Sequence, residues 1–306
     1  MADVSPELLA EIQKEFERLT EDNNKIRGLR RRLAEGTATY KEADEYAIEI
    51  GDSLAKAYGK VLSADVLPDG KMYYNIANAV VRPTLEVDHD IIAEYAAEVQ
   101  NALNKGAGLG LRAIKPEVDQ NRIQGILDRL SEAEDYDTVS WILGEPVRNF
   151  SQNVVDDTVR ANADFQFKSG LSPKIIRTAE PPGTRSVTRG KRRYTYPVPC
   201  KWCKDLAGTY DYTPKMPRDV FQRHEGCRCN VEYSPDGVKR QNAWTKKWVD
   251  SETLAERKQF MAPKQKTPEE RIKEINKPLA AKDAEADKEN PYWAHFFRNR
   301  KKAQQL

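Results

Sequence analysis

Pro199-Cys200-Lys201-Trp202-Cys203, answered further on by His224-Glu225-Gly226-Cys227-Arg228-Cys229, is the stretch that decides how this chain reads. All four cysteines of a 306-residue chain, and one of its three histidines, fall within thirty consecutive positions. Scatter does not produce such a grouping. Two thiolates on a Cys-x-x-Cys turn can grip one metal ion, and a second set of donors on a returning segment completes a tetrahedron. The chemistry implied is a structural zinc site, Zn2+ held by soft sulfur and imidazole ligands. Cys200, Cys203, His224, Cys227 and Cys229 are five candidates for four positions, and Cys227 or Cys229 is the expected spare. Val231 and Tyr233 continue the segment as an alternating strand, in which Cys227 and Cys229 would point to the same side. Lys204, Arg223 and Arg228 are expected to favour the deprotonated thiols.

Other uses of the same residues fit less well. Paired disulfides need an oxidising compartment, whereas the start MADVSPELLAEIQ has no export signal and implies synthesis in a reducing cytoplasm. A redox Cys-x-x-Cys needs a thioredoxin-like βαβ context, which is missing. Zinc deaminases place His-x-Glu before Pro-Cys-x-x-Cys. Here the Pro-Cys-x-x-Cys comes first and Glu225 follows His224 directly. No Ser-His-Asp or Cys-His nucleophile spacing is present, so no catalysis is expected. The stretch 200–233 holds too few large apolar side chains to close a core unaided, and structural zinc supplies on the order of 10 kcal/mol of folding free energy. Cys203→Ser is therefore expected to loosen this module while the helical region stays folded.

Upstream, Ser172-Pro173-Lys174-Ile175-Ile176-Arg177-Thr178 is β-branched, bounded by turn residues, and reads as a strand. After Pro181-Pro182-Gly183 comes a basic tract, Arg185, Arg189, Lys191, Arg192 and Arg193, ending in Tyr194 and Tyr196. Cations beside aromatic rings suit single-stranded nucleic acid or a phosphate backbone, with a solvated loop as the plain alternative.

The first 165 residues read as helical. Ser5-Pro6 starts a helix whose stripe (Ile12, Phe16, Leu19, Ile26, Leu29, Leu33) runs to Gly36. Thr39 and Glu42 have capping-box spacing ahead of a second stripe, Ala43, Tyr46, Ala47, Ile50, Leu54 and Tyr58, which is expected to pack on the first. A third helix, after Pro68-Asp69-Gly70, carries Ile91, Ile92, Tyr95, Val99 and Leu103. Gly106 to Gly110 lacks phosphate-loop spacing and reads as a flexible connector. Further helices follow Pro116 and cover about 145–169. His89 and His295 suggest no site. With 39% hydrophobic and 32% charged residues, no apolar run long enough to span a bilayer is present. A net charge of +2 means that any attraction to nucleic acid is local.

Cys200-Lys-Trp-Cys203-Lys-Asp-Leu-Ala-Gly208-Thr-Tyr-Asp-Tyr, closing with Phe221-Gln-Arg-His224-Glu-Gly-Cys227-Arg-Cys229-Asn-Val-Glu-Tyr, resembles the Mu F-like head morphogenesis proteins of tailed bacteriophages. The runs 162–178 and 239–248 are similar to the segments flanking that signature in minor capsid proteins. The resemblance covers about 150–250 specifically. It implies a minor head protein, a non-enzymatic virion component made with the portal, scaffold and major capsid proteins. Such a protein sits in few copies near the portal vertex and acts in head assembly and in DNA packaging or ejection. Some relatives bind DNA, for which the basic tract is the natural candidate here. Toxin or ADP-ribosyltransferase domains found in certain members are not expected within this length. A zinc-containing nucleic-acid-binding regulator is the other reading.

The organisation expected is mainly α with a small α+β zinc-stapled module: a helical domain at 1–165, the head-morphogenesis module at 166–250, and a charged tail at 251–306, extended or helical. That tail ends in Tyr292, Trp293, Phe296 and Phe297 beside Arg298, Arg300, Lys301 and Lys302, an aromatic-basic cluster suited to binding a partner. No small-molecule substrate is expected.

Overall fold

The computed structural model describes residues 4–181, 183–189 and 192–234. The tail with Tyr292, Trp293, Phe296 and Phe297, the run 239–248 and Lys191 lie outside the described residues.

The stripe read as one helix to Gly36 is two helices, α1 (Ser5–Asp22) and α2 (Asn24–Ala34). Asn23 separates them. Its backbone is extended, and its side-chain oxygen accepts the N–H groups of Lys25 at 2.9 Å and Ile26 at 3.2 Å. A short amide that satisfies the open donors of a new first turn favours restarting the helix over continuing it. Thr39 caps α3 (Tyr40–Val61) through the expected capping box with Glu42. α4 (Tyr74–Gly106) carries Ile92, Tyr95 and Val99 into the interior, and Tyr95 stacks on Tyr46 of α3 at 4.2 Å between ring centres.

After Gly106 the connector is pinned, contrary to the flexible reading. Asn104 Nδ2 donates to the Leu111 carbonyl at 3.1 Å, and Asn101 Oδ1 accepts from the Ala113 N–H at 2.7 Å. Asn162 clamps both backbone groups of Ile114 at 2.8 Å. Asparagine amides from two helices give this loop the hydrogen bonds that a helix or strand would otherwise supply. The chain goes on through α5 (Gln120–Ser131), the single turn α6 (Tyr136–Val139) and α7 (Glu145–Lys168). α3 lies at the centre, packed on α1, α4 and α7. Among the described residues no helix is long and apolar enough to cross a membrane.

Beyond α7, β1 (Lys174–Thr178) is the expected strand. It is the middle of a three-stranded antiparallel sheet, flanked by β4 (Gly208–Asp211) and β5 (Asn230–Ser234). The register sets Ile175 opposite Tyr210 on one side and Tyr233 on the other. Ile175, Val231 and Tyr233 are buried in the same core as the helices, because β5 lies against α3 and α7. The basic tract forms a separate two-stranded hairpin, β2 (Gly183–Arg189) and β3 (Arg192–Val198), rather than a loop.

One buried acid stands apart from these pairings. Asp88 of α4 is fully buried, its Oδ2 lies 2.8 Å from the Ser151 hydroxyl, and its Oδ1 has no partner. Burial pushes its carboxyl up to about 8, against the lowering effect of Ser151. A protonated Asp88 can donate to Ser151, which in turn donates to the Val147 carbonyl at 3.1 Å. The folded protein then holds a proton that the unfolded chain releases near pH 4, so stability falls by up to about 1.4 kcal/mol per pH unit until the folded group itself ionises. Asp88→Asn keeps a neutral donor toward Ser151 and is expected to flatten that decline. Thermal midpoints from about pH 5 to about pH 9 check this, and a variant falling as steeply as the parent would clear Asp88 of the effect.

Candidate metal centre

Two arms deliver the cysteines. On the first, Cys200 sits just before the one-turn helix α8 (Lys201–Asp205), and its sulfur accepts the Cys203 N–H at 3.4 Å. That turn brings Cys203 beside Cys200 and buries it to 2% exposure. On the second arm, the Cys227 N–H donates to the His224 carbonyl at 3.1 Å. Gly226 closes this turn at φ 70°, a left-handed conformation that disfavours any side chain. Cys227 and Cys229 therefore precede β5 rather than lying in it. A turn, not strand alternation, aims them inward, and both are buried.

All five predicted donors come together. They form two trios that share Cys203: Cys200, Cys203 and His224, and Cys203, Cys227 and Cys229, with the donor atoms of each trio within 4.8 Å of one another. His224 Nε2 is 3.3 Å from the Cys200 sulfur and 3.0 Å from that of Cys203. The Cys203 and Cys227 sulfurs are 3.8 Å apart, and none of the four cysteines is in a disulfide. Ligands at the usual zinc–sulfur distance of about 2.3 Å define a tetrahedral edge of about 3.8 Å. His224 is already oriented, since its Nδ1 lies 2.7 Å from the Glu225 carbonyl. With Nδ1–H donating there, the Nε2 lone pair faces the thiols.

The electrostatics disfavour thiolates at Cys203 and Cys227. Burial pushes the Cys203 thiol up to about 12. Cys227 is raised first by its hydrogen bond to Cys229 and then by burial, and Arg223 pulls it down. Cys229 is lowered by the Cys227 hydrogen bond. Buried thiols of this kind keep their protons until a metal ion displaces them. The expected deprotonation is therefore not found at Cys203 or Cys227: Arg223 lowers Cys227, but the Cys229 hydrogen bond and burial outweigh it, and Lys204 is exposed on the surface of α8.

Sequence reasoning assigned Arg223 and Arg228 a role only toward the thiols and did not reveal how this centre is held on the helices. Arg223, next to His224, is buried in an ion-pair network. It donates to Asp156 of α7 at 2.5 and 2.8 Å, to Asp44 of α3 at 3.0 Å, and to the Cys229 carbonyl at 2.6 Å. Arg228, between the last two cysteines, reaches Glu145 at 3.2 Å and Gln152 at 3.1 Å, both on α7. Asn149 of α7 donates to the His224 carbonyl at 3.2 Å. Arg177, read only as a strand residue, is 1% exposed. It donates to the carbonyls of Val220 at 2.6 Å and Gln222 at 2.9 Å, approaches the Cys227 sulfur at 3.9 Å, and lies over the Trp202 ring at 5.3 Å. Trp202 meets His224 edge-on at 5.7 Å. The one available signal was Asp44 and Asp156 interrupting apolar helix faces.

A cleft of 430 Å³ adjoins the loop, bounded by Arg122, Arg129, Trp141, Phe150 and Glu225 among others, and none of the five donor residues lines it. Of the basic tract, Arg192 and Arg193 are exposed on β3, and Arg185 and Arg189 occupy positions on β2. The hairpin forms a sheet of its own and ends two residues before Cys200. No family model, curated protein or solved structure matches this chain.

Proposed function

We propose that this chain is a structural head protein of a tailed phage, associated with the portal or the capsid interior, in which one zinc ion staples the 200–234 segment. The observation that carries the zinc reading is the shared cluster of four thiols and one pre-oriented imidazole. Cys200, Cys203 and His224 take three corners. Cys227, whose sulfur is 3.8 Å from that of Cys203, would supply the fourth once the two trios close on one ion, with Cys229 beside it. Four protein donors close the coordination shell, whereas a catalytic zinc keeps a position for water or substrate. The ion supplies cross-linking, and Arg177, Arg223 and Arg228 hold the loop that carries the donors. The head-protein reading is supported by the likeness of the Cys-x-x-Cys and His-x-x-Cys-x-Cys segments to the Mu F-like family.

Elemental analysis of the purified chain is expected to find about one zinc per molecule. Mass spectrometry of particles from cells expressing it is expected to find the chain at low copy number with portal and capsid proteins. A chain that stays outside particles and instead selects a particular duplex sequence would replace this reading with a regulator.

A further inference from the structure

We infer that the β2–β3 hairpin is an arm that binds double-stranded DNA. Sixteen residues, 183–198, contain Arg185, Arg189, Lys191, Arg192 and Arg193 and no carboxylate. In a chain whose overall charge is only +2, this is a concentrated cationic patch.

The register organises it. Arg185 stands opposite Tyr196, Val187 opposite Tyr194, and Arg189 opposite Arg192. These positions alternate with Thr184–Pro197, Ser186–Thr195 and Thr188–Arg193, and the Ser186 and Thr195 hydroxyls are 2.8 Å apart. One register face therefore carries three of the arginines and both tyrosines, and the other carries mostly small hydroxyl residues. Arg192, Arg193, Tyr194 and Thr195 on β3, and Thr184 and Ser186 on β2, are exposed, so both register faces present residues to solvent. A two-stranded ribbon is marginal by itself and gains most from a partner.

Charge and shape select the partner. Phosphate backbones meet clustered arginines with release of counterions. A two-stranded ribbon about 20 Å long matches the B-form major groove, about 12 Å wide, whereas the A-form groove of duplex RNA is too narrow to admit it. The inference rests on the hairpin alone and stands whether or not the chain belongs to a phage head.

The test uses the full chain and a fluorescent duplex of arbitrary sequence, about 24 base pairs, titrated at about 50 to 200 mM salt. The parent is expected to bind with a steep negative dependence of log K on log salt. The fourfold variant Arg185→Ala, Arg189→Ala, Arg192→Ala, Arg193→Ala is expected to bind on the order of 100-fold more weakly, with the slope shallower by about 3. Its thermal midpoint and zinc content should match the parent's. The corresponding four Arg→Lys changes should restore the slope. An unchanged slope in the alanine variant overturns the proposal. So does tighter binding to single-stranded DNA or to duplex RNA, or preferential binding to phosphatidylglycerol vesicles at the same salt.

Discussion

Arg223→Ala is expected to destabilise the folded protein by about 3–5 kcal/mol, the range seen when one member of a buried charge network is removed. The side chains of Arg223 and Asp156 are each 1% exposed and that of Asp44 is 6%. Deleting the guanidinium leaves two carboxylates in a low-dielectric interior, with Gln152 alone still donating to Asp44, at 3.2 Å. It also removes the donor to the Cys229 carbonyl. For a domain with a typical stability of about 5–15 kcal/mol this is a large fraction, so a clear drop in thermal midpoint follows. Urea unfolding with zinc present measures it. A loss below about 1 kcal/mol would mean that water or rearrangement already serves those acids. Adding Asp44→Asn and Asp156→Asn to Arg223→Met should recover part of the loss, because the stranded charges are then gone.

Cys203→Ser is expected to abolish stoichiometric zinc binding. Cys203 is the residue shared by both trios, so its loss removes the donor that joins Cys200 and His224 to Cys227 and Cys229. The free energy of a structural zinc site, on the order of 10 kcal/mol, is then no longer available to hold the Cys200–Cys203 turn against the His224–Cys229 turn. Hydrogen exchange should show loss of protection through 200–234. The helical bundle stays folded, but protection should also weaken on α3 and α7 around Asp44, Gln152 and Asp156, where Arg223 and Arg228 attach the loop. Cys229→Ser serves as the contrast and should retain the ion. Full zinc content in the Cys203 variant, or unaltered exchange at the loop, would sink the cross-link reading.

Much of the fold was legible. Apolar spacing located α3, α4, α5 and α7 because each buries one stripe on a neighbour, and that periodicity survives in any packing. The Asn23 break was not legible, since Asp22-Asn23-Asn24 leaves the stripe uninterrupted while a single side-chain cap decides the geometry. The connector after Gly106 misled for a related reason. Glycine content signals backbone freedom, but Asn101, Asn104 and Asn162, distant in sequence, remove it.

The clustering of these five side chains could be anticipated from spacing alone, because a Cys-x-x-Cys brings two sulfurs together in any tight turn. How the second arm presents its donors could not. Alternation suggested a strand, and the chain uses a turn at Gly226 instead. That Arg177 also approaches a sulfur was hidden, because it lies in a strand pattern and its reach to Cys227 depends on how β1 packs.

By itself the sequence determined the helical character of the first half, the position of β1, the five Cys and His residues of the cluster and the cationic tract, all of which follow from local periodicity and side-chain chemistry. Only the tertiary structure decided that Asp44, Gln152 and Asp156 anchor the donor loop, and that the basic tract pairs into a hairpin with its arginines and tyrosines in register. Both depend on partners brought together across the chain, and no local pattern encodes which buried acid an arginine will meet.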